Sequence, residues 1–226
     1  MLPGVIDLFL PPRCGACRAV GSWLCDRCQA GIRHLEEPTC RRCGVEVEFA
    51  RKSCGCQARL KALSRLRSAV AYEGPIELAV KRFKYDGWRR LAGPLALLLA
   101  ERLVVEGLAS PWVVAVPLHP SRQRHRGFNQ AELLARELRR RLALGKPPGT
   151  LVRTRPTPPQ VGHDRLWRLE NVRGAFAWRG ADLAGRSVLI VDDVATTGAT
   201  IEACAAALKA SGSGSVTGAT VARVIL

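Results

Sequence analysis

The spacing of apolar and polar residues divides the chain into two regimes. In the first sixty or so residues no apolar period is sustained, and short apolar stretches are broken by Pro, Gly and cysteine pairs. From about residue 66 apolar runs alternate with amphipathic stretches. PWVVAVPLHP (111–120) opens with a short β-branched run that predicts a strand. FNQAELLARELRRRLAL (128–144) predicts a helix with Leu133, Leu134, Leu138 and Leu142 on one face. RSVLIV (186–191) predicts a second buried strand. After Gly198, ATIEACAAALKASG predicts a helix that buries Ile201, Cys204, Ala205 and Leu208 and closes at Gly212. SVTGATVARVIL (215–226) supplies the last strand. This order of strand, helix, strand, helix implies an α/β fold: a mostly parallel sheet flanked by helices on both faces. The stretch 146–174 is rich in Pro and Arg with weak periodicity, and a long irregular loop in a compact domain is usually functional.

No apolar run reaches the roughly 18 residues needed to cross a bilayer. The longest candidate, LAGPLALLLAERLVV (91–105), is short and broken by Pro94 and Glu101. MLPGVIDLFLPPRC lacks the basic region and small-residue cleavage site of a signal peptide, so a cytoplasmic location is the expectation.

Eight of the nine cysteines lie between residues 14 and 56 and come in pairs: Cys14 and Cys17, Cys25 and Cys28, Cys40 and Cys43, Cys54 and Cys56. Three pairs are C-x-x-C and the fourth is CGC. A C-x-x-C turn aims two thiolates at one tetrahedral centre, and two such turns complete a closed structural zinc site with no open position for water. Disulfides do not suit a cytosolic chain, and a redox pair does not come four times in tandem. Eight ligands hold one or two ions. Sequential pairing is the simplest arrangement, and interleaved pairing and a three-cysteine site completed by His34 are also compatible with the spacing. Metal binding would supply stability that so short a segment cannot draw from its own core. Cys204, in an Ala-rich helix, reads as a small buried hydrophobe. The expected domain division is a Cys-rich module at 1–62 and an α/β domain at 63–226.

Lys and Arg outnumber Asp and Glu by 35 to 19, a formal net charge of +16 that favours phosphate-bearing partners. Part of the excess is local, with seven Arg against two Glu in 122–141. AVKRFKYDGWRR (79–90) sets Lys81, Arg82, Lys84, Arg89 and Arg90 around Phe83, Tyr85 and Trp88. That interleaving suits phosphates and stacked bases, and it equally suits a helix end whose basic stems cover buried aromatics.

The sharpest signal is VLIVDDVATTGAT (188–200). In an open α/β sheet, ligands bind at the carboxyl ends of the strands, where Asp192 and Asp193 are expected. The ATTGAT turn that follows offers the hydroxyls of Thr196, Thr197 and Thr200, a close backbone approach at Gly198, and successive N–H groups through Ala195, Ala199 and the helix start. Two carboxylates beside a phosphate cradle match a ribose 5-phosphate, with the acids accepting from the 2- and 3-hydroxyls or holding a Mg²⁺ that does.

These residues resemble the signature of type I phosphoribosyltransferases, which bind phosphoribosyl pyrophosphate (PRPP). VPLHPSRQRHRGFNQAELLA (116–135), the eight-cysteine N-terminus and the RTRPTPPQ…RL-x-N stretch narrow the resemblance to the ComF family of competence proteins. The resemblance spans nearly the whole chain. It implies a type I phosphoribosyltransferase-like fold behind a double zinc ribbon. It also implies a pyrophosphate loop at Val116 to His119 (Pro117, Leu118 and His119 among them), with Arg122, Arg124 and Arg126 neutralising the diphosphate. Asn129 and Gln130 would orient a ligand or the loop itself. A mobile hood over 153–171 would close through Arg153, Gln160, Arg165, Arg168 and Asn171. The implied reaction displaces Mg²⁺-pyrophosphate at the anomeric carbon by a nitrogen nucleophile of unspecified identity. The implied setting is natural transformation, with imported single-stranded DNA and an uptake-machinery partner such as a competence helicase. A non-catalytic protein on the same fold, binding single-stranded DNA or sensing a nucleotide, is the competing reading.

Overall fold

The computed structural model describes residues 11–48, 54–107, 112–155, 172 and 174–225. Its centre is a four-stranded, all-parallel sheet made of β1 (Arg65–Ala71), β2 (Trp112–Ala115), β5 (Val188–Ala195) and β6 (Val216–Arg223) in the order β1-β6-β5-β2. A separate antiparallel pair, β3 (Gly149–Arg153) and β4 (Phe176–Gly180), sets Arg153 opposite Phe176. Arg153, where the expected hood begins, is thus held in this pair. Gln160, Arg165, Arg168 and Asn171 themselves lie outside the described residues.

Period-two alternation along β5 sorts its side chains between two cores. Leu189 and Val191 join a cluster built with α2 (Gly74–Tyr85), α3 (Ala92–Val105) and α5 (Gln130–Leu142). Val188 and Ile190 join a second cluster under α6 (Ala199–Lys209), β3 and β4. The helix read over 128–144 spans Gln130–Leu142 and buries Leu134 and Leu138, with Leu133 and Leu142 packed at the margin. α6 buries Ile201, Cys204, Ala205 and Leu208, and Gly212 follows it at φ +82°.

Among the elements that went unread in the sequence are one helix and one strand of the core. LAGPLALLLAERLVV is α3, because Pro94 falls in the first helical turn, where its missing N–H costs nothing. β1 carries charged residues at Arg65 and Arg67, yet Arg67 is 5% exposed and is paired to Glu106 at 2.7 Å.

The cysteine-rich segment packs along β1, which among the described residues has only β6 as a sheet neighbour. Its free edge is covered by chain from the module: Leu66 N–H donates to Arg42 O at 2.7 Å and Ala71 N–H to Arg33 O at 2.9 Å, and His34 bridges Val70. This is how the fold protects an edge strand that would otherwise pair with another chain. Cys14, Leu24, Cys28 and Ile32 enter the first core, and Cys40, Cys43, Cys56 and Leu60 enter the second.

Candidate functional site

The strand read as ending at Val191 runs on to Ala195, so Asp192 and Asp193 lie within it and point to opposite faces. Asp192 is half-buried and lines a hollow of about 180 Å³ with Lys84, Val194, Ala195, Thr196, Gly198, Ala199, Thr200 and Ile201. Asp193 is 2% exposed, and its Oδ1 accepts from Lys84 Nζ at 2.8 Å. The two carboxylates are not equivalent: Asp192 lines this hollow, while Asp193 is held by a lysine and lines a neighbouring hollow with Arg122, Arg126 and Arg153. Burial and then the charge of Asp193 push the Asp192 carboxyl up to about 7. Burial works against the charge of Lys84, but Asp193 and then Asp192 hold its ammonium above the ordinary range. Asp193 Oδ2 is buried without a hydrogen-bond partner.

Gly198 is left-handed at φ +82° and starts α6. A Cβ there would also come within 3.1 Å of Leu66 Cδ2, so both the turn and the packing require glycine. Thr196 and Thr200 line the hollow. Thr197 is 4% exposed and turns away: its Oγ1 accepts from Ala199 N–H at 3.3 Å, and it faces a recess beside Cys43, Cys54 and Arg223.

A second hollow of about 220 Å³ adjoins the first, sharing Lys84, Asp192, Val194 and Thr200 with it. Its other walls include Val116, Pro117, Leu118, Arg122, Arg126, Gln130 and Arg153. Arg126 donates to Gln130 Oε1 and lies 5.3 Å from the Tyr85 ring centroid. Burial, with Arg122 as a cationic neighbour, lowers the Arg153 pKa. His119 takes another role, capping α4 (Pro120–Arg126) by accepting from Ser121 N–H, and Arg124 is exposed outside both hollows. Asn129 orients the loop: its Nδ2 donates to Val116 O at 3.0 Å while its Oδ1 caps α5. A larger cavity of about 350 Å³ at the outer edge of β2 shares Pro117, Leu118 and Arg153 but contains neither Asp192 nor the threonine turn.

The basic-aromatic stretch 79–90 is mostly structural. Arg82 donates to Gly15 O and Ala16 O, Arg89 to Gly127 O, and Trp88 meets Trp23 edge-on at 6.4 Å. Lys81 pairs with Glu77 on the surface. Lys84 alone among those cations reaches the cleft, and nothing in the local pattern singled it out.

The eight cysteines form two groups, Cys14, Cys17, Cys25, Cys28 and Cys40, Cys43, Cys54, Cys56, each with its sulfurs within 4.8 Å of one another. Pairing is sequential, and His34 stands outside both groups. Sulfur–sulfur distances of 3.6 Å (Cys17–Cys25), 3.7 Å (Cys40–Cys56) and 3.2 Å (Cys43–Cys54) approach the roughly 3.8 Å expected around a tetrahedral zinc with 2.3 Å bonds. Burial opposes ionisation of Cys14, but N–H groups of Cys25, Cys17 and Ala16 outweigh it and hold its thiol near 6. Burial and neighbouring thiols push Cys28 up to about 12. Four sulfurs that cannot all ionise together are what a dication stabilises.

Residues 5–58 match the double zinc ribbon domain, and residues 129–224 match the phosphoribosyl transferase domain. The chain is 32% identical over 219 residues to the DNA utilization protein YhgH of Escherichia coli strain K12, covering 92% of this chain and 96% of that protein. It is 31% identical to competence protein F of Haemophilus influenzae, covering 85% and 89%. The chain belongs to the ComF family. Another relative, competence protein ComFC of Streptococcus pneumoniae, is 30% identical over 80% of this chain and 78% of its own length. In this ComF protein the two cysteine groups are structural zinc sites and the cleft lies in a phosphoribosyltransferase-like fold. Glu202, one turn into α6, is a residue that no local pattern pointed to. Its carboxylate accepts from the N–H groups of Lys61, Ala62 and Leu63 at 2.7, 2.7 and 3.1 Å, tying the second ribbon to the threonine turn.

Proposed function

We propose that the paired hollows bind PRPP or a related phosphoribosyl nucleotide, and that the protein serves DNA uptake in the cytoplasm. The observation that carries this reading is Asp192 on the wall shared by the two hollows, one ending in the threonine–glycine turn and the other in arginines. The first suits a ribose 5-phosphate, with Thr196, Thr200 and the opening N–H groups of α6 around the phosphate. Asp192 accepts from the ribose hydroxyls, and the free oxygen of Asp193 adds a buried acceptor behind it. The second hollow suits a diphosphate, with Arg122, Arg126 and Arg153 around it and the backbone of Pro117 and Leu118 beneath. The carboxylate oxygens of the acidic pair also suit Mg²⁺, which Asp192 would help hold and which would neutralise the diphosphate. Residues of the hood, Gln160, Arg165, Arg168 and Asn171, would exclude water on closing.

The reaction supported is transfer of the phosphoribosyl group to a nitrogen acceptor, by positioning and charge stabilisation. Calorimetry with PRPP and Mg²⁺ tests the site. Binding is expected for the parent and expected to fall at least tenfold in Asp192→Asn; equal affinity in the two would remove the assignment.

The exposed face of α4 and α5 favours a second role. Arg124, Arg136, Arg140 and Arg141 stand in solvent there, and a chain of +16 attracts a phosphate backbone. Single-stranded DNA is expected to bind and to be released steeply as salt rises. Absence of binding at low salt would end this reading.

A further inference from the structure

The two hollows meet along a short wall, and Lys84 is the cation on it. It reaches the cleft from α2, before the phosphoribosyltransferase match at 129–224, and of the other cations around the second hollow Arg153 lies within that match while Arg122 and Arg126 precede it. Its side chain is 19% exposed, and its Nζ is 2.8 Å from Asp193 Oδ1. An ammonium has three donors, and the ion pair with Asp193 occupies one direction. Lys84 lines both hollows together with Asp192, Val194 and Thr200.

From this placement we infer that Lys84 contacts the diphosphate end of the bound phosphoribosyl ligand, where the sugar joins its leaving group, and that Asp193 is the positioning residue that aims it. The inference rests on the phosphoribosyl reading and names a residue that reading does not contain. In the transfer, the bond from the anomeric carbon to the diphosphate oxygen breaks and its electron pair stays on the diphosphate. The lone pair of the acceptor nitrogen forms the new bond and that nitrogen then releases a proton to water. Lys84 supplies fixed positive charge beside the oxygen that gains the pair. Asp193 keeps the ammonium charged and fixes its direction, which explains why one member of the acidic pair is buried against a lysine.

The test compares affinities for PRPP and for ribose 5-phosphate, each with Mg²⁺, by calorimetry. Removing Lys84 alone strands a buried carboxylate, so both partners are replaced together. The parent is expected to prefer PRPP. Asp193→Asn, which keeps the lysine but removes the carboxylate that aims it, should lower that preference about threefold, and an unchanged preference in that variant would remove the positioning role of Asp193. K84M/D193N should reduce it about tenfold or more, as loss of a charge-assisted contact to the diphosphate predicts. K84R/D193N should restore most of it. A general distortion of the cleft would weaken both ligands alike. If K84M/D193N does not fold, K84Q/D193N keeps a neutral hydrogen-bonding pair in similar volume and is read the same way. An unchanged preference overturns the role of Lys84 and leaves the phosphoribosyl site standing. A parent that binds neither ligand overturns the phosphoribosyl reading, and the role of Lys84 falls with it.

Discussion

The two zinc knuckles have the same ligands and the same closed design, yet they grip the domain differently. The first packs on α2 and α3 largely through apolar contact: Gly15 seats against Leu91, Trp23 meets Trp88, and Arg82 reaches back to Gly15 O and Ala16 O. Its link to the cleft is indirect, through the helix that carries Lys84. The second is joined to the threonine turn by charged hydrogen bonds. Arg223, opposite Ala195 in the β5–β6 register, donates to Cys43 O at 2.8 Å, and Glu202 holds the backbone of Lys61, Ala62 and Leu63. Apolar packing tolerates small shifts, whereas a carboxylate shared by three N–H groups fixes one geometry. The second knuckle is therefore the one expected to set the shape of the threonine turn.

Zinc removal probes this contrast most strongly. Metal analysis is expected to give two zinc ions per chain. Metal binding contributes on the order of 10 kcal/mol per site to such modules. Cys40→Ser with Cys43→Ser should lower the melting temperature and abolish PRPP binding. Cys14→Ser with Cys17→Ser should lower the melting temperature comparably and weaken binding less. Equal losses of affinity in the two variants would erase the distinction.

The cleft carries a charge that folding must tolerate. The Asp192 carboxyl titrates near 7 when folded, against an ordinary 3.8. Between those pH values the folded chain keeps a proton that the unfolded chain has lost. This group's contribution to stability therefore falls as pH rises from about 4 to 7. Asp192→Asn should be more stable than the parent at pH 8, by about 1 to 3 kcal/mol, with little gain at pH 4. Urea unfolding at both pH values checks this, and a gain of the same size at pH 4 would contradict the electrostatic origin.

Smaller effects separate the two attachments. Glu202→Gln should cost about 2 kcal/mol in urea unfolding and weaken PRPP binding severalfold, because three N–H groups lose a charged acceptor. Trp23→Leu, at the first knuckle, should cost about 1 kcal/mol and leave PRPP affinity unchanged. A change in affinity from Trp23→Leu, or none from Glu202→Gln, would reverse the assignment of the coupling.

Features set by neighbours in the chain were readable in the sequence. Cysteine spacing announced the knuckles, and Gly198 announced the turn, since only glycine suits that backbone and that distance from Leu66. The rise and fall of apolar positions announced three of the four parallel strands. Features set by distant contacts were not readable. Arg67 conceals β1 because its burial depends on Glu106, 39 residues away. The fates of Asp192 and Asp193 depend on how far β5 runs, and four further strand residues put them on opposite faces. Lys84 looked like any other member of a basic stretch, because only the folded sheet brings Asp193 to it.

The covered border of β1 has a practical consequence. A fragment beginning near residue 63 would bare the hydrogen-bonding groups of Leu66 and Ala71, which Arg42 and Arg33 now satisfy. Such a fragment is expected to self-associate through that seam. The cysteine-rich module thus shields the seam of the α/β half, and the joined chain is expected to stay dispersed where the fragment does not.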